Sequence, residues 1–213
     1  MHHSRMTDDL LMIFVKNPQQ GRVKTRLART VGDANALTIY RHLLEHTRAV
    51  TTILAQDKAV HYSETIEADD LWPEDRYHKQ QQVGNDLGER ISGAFQGAFD
   101  AGYQRVVIIG SDTVELTTAI LEAAFRQLQH HNLVVGPARD GGYYLLGMDG
   151  MYAALFQDIT WSTAAVLPQT LLAAEKQQLS VAQLPTLSDI DVEEDLGRPA
   201  AVDSLIGRQH KKG

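Results

Sequence analysis

The stretch Arg105-Val-Val-Ile-Ile-Gly-Ser-Asp112 decides the fold of this chain. Its four consecutive branched apolar residues are typical of a short strand that is buried on both faces. A second apolar run, Leu10-Leu-Met-Ile-Phe-Val15, has the same character. Strands of this kind occur mainly in parallel sheets that helices cover on both sides, so the two runs predict the core of such a sheet.

Outward from these two runs, weaker strand patterns alternate with amphipathic helical patterns. Strands are predicted at 58–63, 133–135, 143–147 and 181–184, and helices at 33–47, 86–99, 120–128 and from about 162 to 179, with Pro168 in the first turn of the last helix. The segment 21–29 is predicted as a loop. This alternation predicts an α/β fold with a mostly parallel sheet. Because ligands of such sheets bind beyond the carboxyl ends of the strands, we expect the functional residues in the segments that follow strands.

Composition limits the classes of protein that this chain can represent. It has 213 residues, 43% of them hydrophobic, a net charge of −7 and no cysteine. The length predicts one domain over residues 10–206, between a disordered tail at 1–9 and a basic tail at 207–213. The lack of cysteine excludes thiolate catalysis and cysteine-ligated metal sites, and the negative charge argues against binding to nucleic acid. With no bilayer-spanning run and no signal-peptide pattern, we expect a cytoplasmic protein.

A basic loop follows the first strand. Lys16, Arg22, Lys24 and Arg26 lie in the segment Lys16–Leu27, which also contains Gly21. Unpaired backbone N–H groups near a helix start bind anions, and Lys and Arg side chains add charge-assisted hydrogen bonds. These five residues are therefore candidates for binding phosphate, although a solvated basic loop has the same composition. The segment is not a Walker A motif, and the chain has no dinucleotide-binding fingerprint.

Aspartates follow several of the predicted strands. Asp112 ends the most apolar strand, where a carboxylate can hold a divalent cation that also binds water and phosphate. Asp140 precedes Gly141-Gly142, a pair that allows close approach of the backbone to a ligand. Asp189 and Asp191 face the same side if their segment is extended. The competing interpretations are a helix cap for Asp112, an ordinary hairpin turn for Asp140 and an acidic cap for the last pair.

Taken together, these segments resemble the radical-SAM/selenodomain-associated transferase family. Its members are glycosyltransferases with a GT-A-like fold, a three-layer α/β sandwich of the nucleotide-diphospho-sugar transferase superfamily. The resemblance covers about residues 10–197 and rests on motifs at 16–27, 84–90, 109–117, 136–144, 161–163 and 189–196. The chain departs from the family pattern at Thr113-Val114, where the family usually has Cys-Pro, and at Asn85, which is inserted before Asp86.

The resemblance implies a nucleotide-sugar donor, a divalent metal (Mg²⁺ or Mn²⁺) on its diphosphate, and an acceptor that the sequence does not identify. It places the phosphates on Gly21, Lys24 and Arg26, and the metal on Asp112. Gly141-Gly142 and Asp140 would then line the sugar or acceptor side. We further expect Asp191 to make a second metal contact, and Asp140 to act as the general base of an inverting transfer.

Two other functions fit the same fold. A nucleotidylyltransferase would join an NTP to a phosphorylated acceptor and release pyrophosphate, and such enzymes share a similar basic first loop. In nucleotidylyltransferases this loop has a glycine-rich spacing before its lysine. That spacing is missing here, which favours sugar transfer. A non-catalytic nucleotide-binding module is the second alternative, because Thr113-Val114 changes the loop beyond the metal-binding aspartate. The oligomeric state is not predicted.

Overall fold

A seven-stranded sheet forms the middle layer of the protein, whose computed structural model describes residues 6–198. The strands are β1 (Asp9–Val15), β2 (Asp57–Tyr62), β3 (His78–Gln81), β4 (Arg105–Ile109), β5 (Leu133–Pro137), β6 (Tyr143–Met148) and β7 (Val181–Gln183). The helices are α1 (Thr25–Val31), α2 (Asp33–Thr52), α3 (Leu87–Asp100), α4 (Thr118–Gln127) and α5 (Val166–Lys176). Short 3₁₀ helices occupy Ala153–Phe156 and Glu193–Gly197.

The strands lie in the order β3-β2-β1-β4-β6-β5-β7. Every neighbouring pair is parallel except the two pairs formed by β6, which runs antiparallel to β4 and β5. The mostly parallel sheet is thus confirmed. After β1 the chain adds β2 and β3 on one side, whereas β4 and the later strands lie on the other side. The order therefore reverses between β1 and β4, which is where open α/β sheets bind ligands.

Helices cover both faces of the sheet and give the predicted three layers. On one face, Leu11 of β1 belongs to the same apolar cluster as Leu43 of α2, and α1 and α4 contribute to it as well. On the other face, Met12 of β1 packs in a second cluster with Phe95 of α3 and Ala174 of α5. Neighbouring β1 residues face opposite sides of the sheet, so one apolar run fills both cores.

Three elements differ from the predictions. The segment predicted as a loop at 21–29 contains helix α1, which begins at Thr25 and buries Leu27 in the core. Strand β3 was not predicted because His78-Lys-Gln-Gln81 is polar, and it pairs only with β2 at the edge of the sheet. The last helix is shorter than expected, ending at Lys176, but Pro168 does lie in its first turn, where the missing N–H costs little.

Residues 6–9 of the N-terminal tail predicted at 1–9 are described by the structure. The backbone N–H of Met6 donates to Asp57 Oδ2 at 3.0 Å, the Thr7 hydroxyl donates to the carbonyl of Asp9 at 2.8 Å, and Asp9 opens β1. Residues 6–9 are therefore fixed against the sheet. Residues 1–5, the end of the predicted domain from 199 on and the basic tail at 207–213 lie outside the described residues. Within 6–198, no helix has both the length and the apolar character needed to cross a membrane.

Candidate functional site

Tyr40 of α2 joins the carboxyl ends of β1 and β4. The backbone N–H of Lys16 donates to the Tyr40 hydroxyl at 2.8 Å, and the hydroxyl lies 3.1 Å from the Lys16 carbonyl and 3.3 Å from Ser111 Oγ. Burial, together with the negative charge of Asp112, raises the pKa of Tyr40, so the hydroxyl keeps its proton. The loops that follow β1 and β4, between which the strand order reverses, are therefore held at a fixed separation.

Lys24 is the centre of a cluster of charged side chains at this edge. Its ammonium lies 2.7 Å from Asp112 Oδ1 and 3.1 Å from Asp191 Oδ1, and Arg26 Nη2 lies 2.5 Å from Asp191 Oδ2. The Lys24 side chain is 4% exposed. Burial by itself lowers the pKa of Lys24, but Asp112 and Asp191 outweigh that effect and raise it, so the lysine stays charged.

The backbone at Lys24 is suited to this position. Lys24 has φ +48° and ψ +44°, the left-handed region, and directly precedes α1. This turn directs the chain from the loop into a helix whose Leu27 is fully buried. The packing of Leu27 thus fixes the start of α1, which in turn positions Lys24 and Arg26 beside Asp191.

The loop after β4 is bound to the segment before the last 3₁₀ helix. The Thr113 hydroxyl donates to the Ser188 carbonyl at 2.8 Å, the Ser188 N–H donates to Glu115 Oε2 at 2.8 Å, and the Ile190 N–H donates to the Asp112 carbonyl at 2.9 Å. Val114 is buried in the core. The two residues that depart from the family pattern therefore support this loop, and the Asp112 carboxylate remains beside Lys24.

The sequence did not assign a role to Asp189, although the spacing of Asp189 from Asp191 is visible there. The pKa of Asp189 is raised to about 7, chiefly by burial and next by the nearby carboxylate of Asp112. Lys24 acts in the opposite direction but does not cancel these effects. The signal in the sequence was the i, i+2 spacing, which does place both aspartates at the same cavity.

Asp140 lies in the turn between β5 and β6. Its Oδ1 accepts a hydrogen bond from the Gly142 N–H at 2.9 Å, and the side chain is exposed. Gly141 has φ +92°, and a Cβ added there would lie 2.5 Å from the Ala164 carbonyl oxygen. Glycine is therefore required at 141 by its conformation and by close packing against the segment before α5.

Three cavities share this edge of the sheet. The largest, which we call the acidic cavity, has a volume of about 580 Å³ and is lined by Asp112, Asp140, Asp189 and Asp191 among others. The polar cavity, of about 410 Å³, extends toward β2 and the start of α3 and includes Ser63, Gln82, Asn85, Asp86 and Arg90. A small cavity of about 90 Å³ surrounds Lys24. Lys16 and Asp112 line all three, so these two residues mark the junction.

Seven of the ten predicted site residues line these cavities: Lys16, Lys24, Arg26, Asp112, Asp140, Gly142 and Asp191. The other three, Gly21, Arg22 and Gly141, are not among the residues that line them. Arg22 points instead to Glu64, with Nη1 3.0 Å from Oε2, and its side chain is 63% exposed. The turn before α1 directs Arg22 to the outside of the loop, so in this structure it lies apart from the other predicted phosphate ligands.

The carboxylates fit a divalent ion only if a substrate supplies further ligands. Among residues 6–198, no group of three or more His, Cys, Asp or Glu side chains is placed to hold a metal. Both oxygens of Asp191 are already engaged by Lys24 and Arg26, whereas Asp112 uses one oxygen and lies close enough to Asp189 to raise its pKa. Mg²⁺ is commonly held by one or two carboxylates together with phosphates and water. The carboxylates of Asp112 and Asp189 are a donor set of this kind.

Comparisons with known proteins identify the family and the fold of the chain. The family model described as "Uncharacterized protein conserved in bacteria (DUF2064)" matches residues 38–163. A "putative nucleotide-diphospho-sugar transferase" from Desulfovibrio desulfuricans G20 is 32% identical, with a TM-score of 0.84 and 96% of each chain covered. None of the curated proteins matches the chain.

More distant solved structures show the fold alone. The inositol-1-phosphate CTP transferase from T. maritima is 11% identical, with a TM-score of 0.54 and 96% of each chain covered. The 4-diphosphocytidyl-2C-methyl-D-erythritol synthase from Anaerococcus prevotii DSM 20548 is 10% identical, with a TM-score of 0.55 over 94% of this chain and 96% of that one. The fold is therefore that of the nucleotide-diphospho-sugar transferases, as the motifs predicted.

Proposed function

This chain belongs to the family described as "Uncharacterized protein conserved in bacteria (DUF2064)", and from that premise we propose that it transfers a sugar from a nucleotide-diphospho-sugar donor to an acceptor hydroxyl. The observation that carries the proposal is the position of Asp112. It lies at the carboxyl end of the central strand, beside Lys24, where the polar cavity and the acidic cavity meet. A donor whose diphosphate lies at this junction has its nucleoside in one cavity and its sugar in the other.

The diphosphate is bound by the cations at the junction. Lys16, Lys24 and Arg26 line the small cavity, and Lys24 remains charged. Phosphate oxygens form charge-assisted hydrogen bonds with such groups, and Arg26 can do so in a bidentate manner. In the free protein Lys24 and Arg26 bind Asp191 instead, so this carboxylate holds the two cations in place before the donor arrives.

Asp112, with Asp189 beside it, would hold a divalent ion such as Mg²⁺ or Mn²⁺, whose charge would neutralise negative charge on the leaving nucleoside diphosphate. Asp191 stays a candidate for a second metal contact, although its oxygens must then give up Lys24 or Arg26. The residues present thus favour Asp189 over Asp191 as the neighbour of Asp112 in this role.

Asp140 is the proposed general base of an inverting transfer. The acceptor oxygen forms a bond to the anomeric carbon while the bond from that carbon to the β-phosphate oxygen breaks, and the electron pair leaves with the nucleoside diphosphate. The acceptor proton passes to the Asp140 carboxylate. Because the Gly142 N–H binds only Oδ1, Oδ2 has no bond to that amide and can receive the proton.

The test is a transfer assay with a panel of nucleotide sugars and acceptors, followed by mass spectrometry of the products. Wild-type protein should release a nucleoside diphosphate from one donor and add the sugar mass to an acceptor. Asp140→Asn should lower kcat by about 10²- to 10⁴-fold, the usual contribution of acid–base assistance, with nearly unchanged donor affinity. A wild-type kcat in Asp140→Asn would exclude the general-base role.

The same panel separates sugar transfer from the alternatives. A nucleotidylyltransferase would consume an NTP and a phosphorylated acceptor and release pyrophosphate, which the assay measures directly. If pyrophosphate is released and no sugar is transferred, the proposal is wrong and that alternative is correct. Nucleotide binding without turnover of any donor would instead indicate a non-catalytic binding module.

A further inference from the structure

The acidic cavity has an apolar wall as well as carboxylates. Leu87 and Ile91 reach it from α3, Ile108 from β4, and Trp161 and Val166 from the region that leads into α5. Leu87 is 42% exposed, although it is a large apolar side chain. Apolar surface facing water is unfavourable, and an apolar group that covers this wall would remove that cost.

The wall is built into the fold. Gly88 of α3 lies so close to Trp161 that an added Cβ would be 2.1 Å from the indole Nε1, and Trp161 stacks on Phe156 with ring centroids 6.5 Å apart. The indole is therefore packed between a helix and a second aromatic ring. Its position is fixed by this packing, so the cavity presents a preformed apolar face to a ligand.

The charges of the same cavity disfavour a negatively charged ligand. Four aspartates line it, and its two cations, Lys16 and Arg26, lie on the side of the small cavity around Lys24. Arg26 is already paired with Asp191. Asp140 and Asp189 form no ion pair with a cationic side chain among residues 6–198. Without a metal ion between them, a phosphate group beside these two carboxylates would be repelled, and solvent screens this repulsion less at the part-buried Asp189 than at the exposed Asp140.

We propose that the acidic cavity takes an acceptor that has an apolar ring or chain and no negative charge. This inference rests on the proposed function, because it makes the cavity the acceptor side of the transfer site. The apolar body of the acceptor lies against Leu87, Ile91 and Trp161, and its hydroxyl lies on the side of Asp140. A phosphorylated acceptor is excluded by the carboxylates, which separates this site from that of a nucleotidylyltransferase.

Two tryptophans make the test direct. Trp161 lines the acidic cavity, whereas Trp72, the other tryptophan of the chain, lines a separate cavity with Leu44 and Leu71. In ¹H–¹⁵N spectra each gives one indole signal, which Trp161→Phe assigns. The probes are benzyl alcohol, benzylamine and benzyl phosphate, which share an apolar ring and differ in charge. The titrations are run near pH 8, well above the ordinary pKa of an aspartate, which is about 4.

Benzyl alcohol and benzylamine should shift the Trp161 indole signal in a saturable manner and leave the Trp72 signal unchanged. Benzyl phosphate should bind at least about tenfold more weakly, because like charges disfavour it. Leu87→Asn, at an exposed position, should weaken the binding of benzyl alcohol about threefold or more by removing apolar contact area. Leu172→Asn changes a leucine of α5 that is 50% exposed and outside the cavity, and it should have no effect.

The inference is overturned if benzyl phosphate binds as tightly as benzyl alcohol, if both indole signals shift alike, or if Leu87→Asn and Leu172→Asn behave identically. A parallel titration with UDP, GDP and CDP keeps the proposed function separate. Nucleotide binding without any benzyl alcohol effect at Trp161 contradicts the acceptor inference and leaves the donor site standing. Benzyl alcohol binding at Trp161 without binding of any nucleotide supports the uncharged, apolar ligand of this cavity but contradicts the donor proposal, and with it the acceptor role.

Discussion

Lys24 shows at the scale of one residue how the site is held together. It is buried, charged and within 3.1 Å of a carboxylate from each of two segments that are distant in sequence. Lys24→Met keeps the apolar stem and removes the charge. We expect the Kd of a nucleoside diphosphate to rise by about 5- to 150-fold, which corresponds to the loss of a charged hydrogen bond worth about 1–3 kcal/mol. Isothermal titration calorimetry measures this change.

Arg22→Met is the matched control for Lys24→Met. It removes a positive charge from the same loop, but Arg22 binds Glu64 outside the cavities. Its Kd should stay within about twofold of the wild-type value, because a screened surface charge contributes little to binding. If both variants lose the same affinity, the loop acts only through its total charge, and the specific role of Lys24 is wrong. Circular dichroism verifies that each variant is folded.

The sequence predicted most of the charged residues of the site but not their pairing. Lys24, Arg26 and Asp112 were identified because they follow buried strands, and parallel strands end at one edge. Sequence spacing contains no information about the turn at Lys24 that directs Arg22 outward, since a left-handed lysine is uncommon and has no local signature. The raised pKa of Asp189 likewise depends on burial by segments that are far apart in the chain.

At the scale of elements, Gly88 is where α3 packs against the Trp161 indole. A Cβ at Gly88 would overlap the Trp161 indole, so Gly88→Ala must displace that ring. We expect Gly88→Ala to reduce the free energy of unfolding by about 1–3 kcal/mol, as overpacking does, and to shift the Trp161 indole signal. Urea denaturation and the ¹H–¹⁵N spectrum measure both effects.

Gly97→Ala is the control for Gly88→Ala on the same helix. A Cβ at Gly97 meets no atom within 4 Å, and the residue is exposed. The free energy of unfolding should therefore increase by up to about 1 kcal/mol, since alanine favours helix more than glycine does. Two alanine variants with equal stability would contradict the packing of Trp161 on α3 that the structure shows.

Elements with many buried apolar residues were predictable from the sequence, whereas elements with few were not. Strands β1 and β4 were clear in the sequence because they are apolar on both faces, and α3 was clear because its apolar residues recur with helical spacing. Helix α1 was missed because Leu27 is the only buried residue in its seven residues, which is too few for a period. Strand β3 was missed because a polar edge strand is formed by pairing with β2 rather than by its own side chains.

For the whole molecule, a buried histidine couples stability to pH. His61 of β2 stacks on Phe14 with ring centroids 5.1 Å apart, and its Nε2 is buried with no hydrogen-bond partner among the described residues. Burial lowers the pKa of His61 to about 4, below the value of about 6.5 in the unfolded chain. Protonation therefore favours the unfolded chain, and stability should fall as the pH drops from about 6.5 toward 4.

His61→Leu should remove this part of the pH dependence. Between pH 7 and pH 4, wild-type protein should lose on the order of 3 kcal/mol more stability than His61→Leu, as measured by urea denaturation at each pH. His130→Leu, at an exposed position, should keep the wild-type slope. If His61→Leu loses stability as steeply as wild-type protein, His61 is not the group that titrates.

The central claim is that a nucleoside diphosphate binds at the junction of the cavities together with a divalent ion held by Asp112. The measurement that tests it most directly is calorimetric titration of UDP, GDP and CDP into wild-type protein and Asp112→Asn, with Mn²⁺ and with a chelator. Wild-type protein should bind one of them more tightly with Mn²⁺, whereas folded Asp112→Asn should bind equally with and without it. An unchanged Mn²⁺ requirement in Asp112→Asn, or no binding of any nucleotide by wild-type protein, would contradict the claim.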